Sequence, residues 1–216
     1  MTKHSWIATC LLITTLIAVG GAAYIVAQDR NGGPIIIREV ETVVNTRHVY
    51  LSRLEVNDMI YREIDAGRME WIYLFYDAIT GSRTVTHVLL QSALLYEVPV
   101  NLLFALCNRE SGFDPLAVNG SNSNGTSDFG LLQLNTGTFS TLDEKTLLNP
   151  SENVLIGTQY LLTRFENVDS WELAVIAYNG GSGPRIAESA LLHLNWVLAY
   201  ERTFDRDITT AKSQRL

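Results

Sequence analysis

The chain holds 216 residues, 47% of them hydrophobic, enough for one well-packed domain and an appendage. Its formal net charge of -7 supplies no basic face, so a nucleic-acid partner is excluded and attraction to anionic lipid has no electrostatic basis. Four scattered histidines and two cysteines make no metal-ligand cluster, and no metal or cofactor is expected.

Residues 1–5 read as a short cytoplasmic N-terminus, where Lys3 and His4 give a faint indication of the side. Residues 6–27 carry no charged side chain and are long enough to cross a hydrocarbon core of about 30 Å as a helix. This predicts a transmembrane anchor or a signal sequence. The anchor is favoured, because the apolar part of a signal peptide is usually about 7–15 residues long and no clean small-x-small site precedes Gln28. Either way the rest of the chain is expected outside the cytoplasmic membrane, single-pass if anchored and secreted if cleaved.

Residues 28–66, with Asn31-Gly32-Gly33-Pro34 and then Ile35-Ile36-Ile37 and mixed charges, read as a stalk or linker in which Val43-Val44 allows a short strand. The compact domain is expected over 67–200. A helix from about 70 to 79 ends at Gly81, a second spans about 84–96, and Pro99 stands at the first turn of a third.

That third helix closes on Asn108-Arg109-Glu110-Ser111-Gly112-Phe113-Asp114-Pro115. Counting back from Glu110 by helical steps meets Cys107, Leu106 and Leu103, so the carboxyl belongs to the apolar stripe and points inward. Burial disfavours the charged form of a carboxyl, which suits a general acid. The bland alternative is a core glutamate held by local hydrogen bonds.

A polar run, Asn119 to Asp128, follows. Read as a calcium loop aligned on Gly125, it lacks the first Asp and the bidentate Glu, so calcium is not favoured. Next comes Gly130-Leu131-Leu132-Gln133, an amide at the end of an inward turn. Asn149-Pro150-Ser151-Glu152 is a helix start with an Asn cap, and Gly157 permits a close approach along the stripe Val154, Leu161, Leu162 and Phe165. A helix capped by Asp169 or Ser170 ends on Ala177-Tyr178-Asn179-Gly180, a last one runs through Leu191, Leu194 and Leu198, and residues 201–216 read as a polar tail.

Three motifs in this order, Glu-Ser closing an apolar helix, Gly-Leu-Leu-Gln, and Ala-Tyr-Asn, resemble the lytic transglycosylases that cut bacterial peptidoglycan (SLT family 1, lysozyme-like superfamily). The loop before Gly130 and the run through Asn135 are closest to the specialised transglycosylases of secretion and conjugation systems. The likeness covers about residues 82 to 186. It implies a mainly α, lysozyme-like SLT domain, here joined to the N-terminal transmembrane helix.

The resemblance also implies cleavage of the MurNAc-β-1,4-GlcNAc bond without water, giving 1,6-anhydromuramyl ends, with Glu110 as acid and then base. It places Gln133 in the sugar groove and Tyr178 against the catalytic carboxyl. Ser111, Asn179 and Asp128 are further candidates for contact with substrate. Implied partners are peptidoglycan strands and an envelope-spanning secretion or conjugation assembly. Leu132 stands where the family often has Met, and Gly180 where Ala is frequent. A hydrolytic, goose-type muramidase using Asp128 to place a water stays open, as does a catalytically idle wall-binding component of an envelope machine.

Overall fold

The structure, a computed structural model, describes residues 15–19, 22–28, 34–41, 51–120, 122–180 and 187–215. Three strands come first: β1 (Thr15–Val19), β2 (Ala22–Gln28) and β3 (Pro34–Glu41). They form an antiparallel sheet in the order β1-β2-β3, with an irregularity in the β2/β3 register between Ile25 and Val26.

This corrects the expectation of one apolar helix over 6–27 wherever that stretch is described. The residue types give the reason. Thr15, Ile17, Val19, Ile25 and Val26 are β-branched and favour extended backbone. Gly20-Gly21 between them would be costly inside a helix. Among the described residues, no helix is long and apolar enough to cross a membrane. Residues 1–14 and the Val43-Val44 pair lie outside the described residues.

The remaining chain is mainly helical, with α1 (Arg53–Asp65), α2 (Met69–Thr80), α3 (Arg83–Tyr96), α4 (Val100–Ser111), a short α5 (Glu144–Leu147), α6 (Pro150–Val168), α7 (Trp171–Gly180) and α8 (Glu188–Ser213). Between α4 and α5 the two-residue strands β4 (Val118–Asn119), β5 (Asp128–Phe129) and β6 (Leu134–Asn135) pair antiparallel in chain order. Helix α4 is the hub. Every side chain from Val100 to Cys107 is buried, so its apolar character runs all round instead of along one stripe, as a helix enclosed by others requires. It packs on α3 and α8, while α6 packs on α3 and α7.

The helical body extends past both expected boundaries. Helix α1 lies in the stretch read as stalk, opened by a capping box in which Ser52 and Glu55 satisfy each other's backbone N–H groups. It buries Val56, Met59 and Ile60, one face at helical spacing. At the other end, α8 continues through the stretch read as a polar tail and buries Glu201, Phe204 and Ile208. Its charge misleads because the charge is paired: Arg53 of α1 holds both Glu201 oxygens, at 2.5 and 2.8 Å. A buried carboxylate needs such a partner.

Candidate active site

Glu110 sits in the last turn of α4, where burial of Leu103, Leu106 and Cys107 fixes the helix and aims the carboxyl inward. Its side chain is 13% exposed and thus largely enclosed. Oε1 lies 3.0 Å from Nε2 of His193.

His193 comes from α8 and is 5% exposed. No role is assigned to it by the sequence, where it is one histidine among four. It shares the buried face of α8 with Ala190, Leu194 and Val197, and a histidine within an apolar stripe reads as core. Among the described residues its buried Nδ1 has no hydrogen-bond partner.

The turn Gly130-Leu131-Leu132-Gln133 is fastened to three helices beside Glu110. Ser111 of α4 donates its hydroxyl to the Leu131 carbonyl at 2.9 Å, with the Cys107 carbonyl 3.2 Å away as a second acceptor. Asn153 of α6 accepts from the Leu132 N–H at 2.8 Å and donates to the Phe129 and Leu147 carbonyls at 2.8 and 2.7 Å. Tyr178 of α7 donates to the Leu132 carbonyl at 2.7 Å. Gly130 has φ +72°, and a Cβ there would fall 2.6 Å from the Leu147 carbonyl, so a side chain is excluded by both conformation and space.

Tyr178 is held against Tyr160, ring centroids 5.2 Å apart. Burial first, and the negative charge of Glu110 second, push its phenol well above the usual range, so it stays a neutral donor. Its hydroxyl is spent on the backbone of the turn. It fixes the wall that faces Glu110 and does not hydrogen-bond the carboxyl.

The other sequence candidates lie in defined contacts around the turn and its loop. Gln133, at φ +43°, donates Nε2 to the Ala117 and Gly130 carbonyls at 3.2 and 2.9 Å, so both amide hydrogens serve the turn. The hydroxyl of Ser111 points to backbone carbonyls and not to Glu110. Asp128 accepts from Asn122 at 2.8 Å and Asn119 at 3.2 Å on one oxygen and from Asn135 at 2.6 Å on the other. It is the knot of the asparagine-rich loop. Asn179 is exposed on α7.

Residues 88–190 match the family model of the Transglycosylase SLT domain. This stretch resembles an SLT domain. Invasion protein IagB of Salmonella typhimurium is 35% identical over 103 residues, 44% of this chain and 63% of that protein. Protein IpgF of Shigella sonnei is 37% identical over 100 residues, 42% of this chain and 62% of that protein. The chain thus spans less than two thirds of the length of these relatives. An inactive mutant of the lytic transglycosylase Slt from Pseudomonas aeruginosa aligns with a TM-score of 0.48 at 17% identity, covering 74% of this chain and 31% of that one. The matched stretch contains Glu110, the Gly130–Gln133 turn and Tyr178, whereas His193 lies beyond it.

Proposed function

We propose that the protein is a peptidoglycan lytic transglycosylase that cleaves the MurNAc-β-1,4-GlcNAc bond without water, with Glu110 as its acid and base. Glu110 protonates the bridging oxygen as the bond to the muramyl C1 breaks. The resulting carboxylate then takes the proton of the muramyl C6 hydroxyl as O6 bonds to C1. One bond is lost, one is gained, and the product ends in a 1,6-anhydro ring. The observation that carries this reading is a largely enclosed carboxyl at the end of a buried helix, inside the stretch that matches the SLT family model.

A hydrolytic route would need a second carboxylate to position water. The nearest candidate by sequence, Asp128, has both oxygens taken by asparagine amides. Its location on the loop leading into the Gly130 turn still suits contact with the glycan edge, as does the exposed Asn179. Peptidoglycan as substrate places the domain outside the cytoplasmic membrane. The relation to an invasion protein supports work beside an envelope-spanning assembly.

The test is digestion of purified sacculi followed by mass spectrometry of the released muropeptides. Anhydromuramyl ends are expected from the wild type, and Glu110→Gln is expected to bind sacculi while losing at least about 100-fold in rate, the usual scale for removing a general acid. Reducing ends would establish the muramidase instead. Equal digestion by both proteins, or by neither, would remove Glu110 from the role of acid.

A further inference from the structure

We propose that His193 is a positioning residue that gives the two oxygens of Glu110 separate tasks: Nε2–H holds Oε1, and Oε2 alone carries the proton to and from the glycan. This rests on the reading of Glu110 as acid and base. Three observations support it. The Nε2 to Oε1 distance is 3.0 Å, the imidazole is 5% exposed, and the buried Nδ1 has no partner among the described residues.

The orphaned Nδ1 selects the tautomer. Buried N–H groups are paired almost without exception, whereas a bare acceptor is tolerated more often. A proton on Nδ1 would be a buried donor with nothing among the described residues to receive it. The single ring proton therefore sits on Nε2, directed at Oε1.

With Oε1 occupied as an acceptor, protonation of Glu110 falls on Oε2. In the first step Oε2–H gives its proton to the bridging oxygen. In the second, Oε2 takes the proton of the C6 hydroxyl. The Nε2–H···Oε1 bond persists through both, the carboxyl does not rotate, and no proton passes through the imidazole. An acid that must act twice within one turnover gains from being fixed in this way, because a misplacement of about 1 Å can cost about 100-fold in rate.

The groups around the pair do not compete with it. Cys107, on α4, has its thiol pushed up by burial and stays protonated. Tyr178, on α7, is likewise held neutral. Asp128 is tied to its three asparagines, and on α8 the next buried acid, Glu201, lies two turns further along and is bound to Arg53.

The experiment uses the full chain and compares wild type, His193→Leu, His193→Gln and Glu110→Gln on sacculi, together with 15N NMR of imidazole-labelled protein. His193→Leu is expected to lower kcat on the order of 100-fold with KM close to wild type. His193→Gln, whose amide N–H can reach the same oxygen, is expected to recover at least tenfold of that loss, roughly the worth of one oriented hydrogen bond. In the wild type, under the conditions of the activity assay, the His193 ring should show a protonated Nε2 and a bare Nδ1, the signal being assigned by its absence from His193→Gln.

A ring protonated on Nδ1, or doubly protonated, overturns the proposal even if the leucine variant fails to fold. Wild-type kcat in folded His193→Leu overturns it as well. If Glu110→Gln is inactive while His193→Leu turns over normally, only the positioning role fails. If Glu110→Gln keeps wild-type activity, the assignment of Glu110 fails with it.

Discussion

Asn153 shows how much of this site rests on one side chain that never meets a substrate. It is fully buried, and its amide satisfies the Leu132 N–H and the Phe129 and Leu147 carbonyls. Asn153→Leu would leave these backbone groups unpaired in the interior, at about 1–3 kcal/mol each. We expect a loss of at least about 3 kcal/mol in urea unfolding, where each stranded group counts; an unchanged midpoint would show that water replaces the amide. Gly157 marks the other limit of tolerance. A Cβ there would meet Leu132 Cδ1 at 2.6 Å and Cβ at 2.9 Å, and the Tyr178 hydroxyl at 3.2 Å. Alanine gains about 1 kcal/mol of helix propensity, but the side chain of Leu132 must move as a whole. Gly157→Ala is expected to be destabilising by about 1–2 kcal/mol, the scale of core overpacking, and a higher melting temperature would contradict this.

At this scale the sequence is legible where a residue interrupts a pattern in a way chemistry explains. Glu110 stands out because an acid on an apolar stripe is costly without purpose. Asn153 and His193 stand on similar stripes, yet their partners lie 21 and 83 residues away, and no local spacing reveals them. For Gln133 the motif indicates a groove residue, whereas the tight turn with φ +43° draws its amide hydrogens onto backbone carbonyls.

Among the elements, α8 departs furthest from expectation. Its charged second half reads as solvated tail, but the same residues build a buried network. Asn101 of α4 accepts from Tyr76 of α2 and donates to Asp205 at 2.6 Å, next to the Arg53 and Glu201 pair. Burial, reinforced by the charge of Glu201, lifts the Asp205 carboxyl from 3.8 to about 7. The folded protein therefore binds a proton there that the unfolded chain releases, so this contribution is fully present below about pH 4 and is lost as pH rises to about 7. Asp205→Asn should flatten that part of the stability profile measured by urea midpoints between those values; the same slope in the variant would assign it to another group. The N-terminal strands fail in the opposite direction. Hydropathy alone does not separate a membrane helix from apolar strands, and the deciding features are β-branching and the Gly20-Gly21 pair. The caps of α2, α3 and α6 are local signals, and they fall within a residue or so of their expected positions.

Over the whole molecule, the helical body is closed by contacts between its two ends. Arg53 meets Glu201 across 148 residues, and Lys212 reaches Glu63 at 3.0 Å. Removing residues 201–216 would delete the buried Phe204 and Ile208, uncover the apolar surface they pack against, and take Glu201 from Arg53 and Lys212 from Glu63, leaving them Glu172 and Arg68 as partners. We expect this truncated chain to lose its cooperative thermal transition, since breaking a buried ion pair alone costs about 3–5 kcal/mol. A sharp transition near the wild-type temperature would restore the reading of these residues as a dispensable tail.

The position of His193 also sets an order in time. A chain emerging N-terminus first presents Glu110 long before α8 is synthesised, and during that interval the carboxyl has neither its imidazole nor the helix that encloses it. The enclosure of Glu110 is therefore completed only once α8 has been made and has packed against α4.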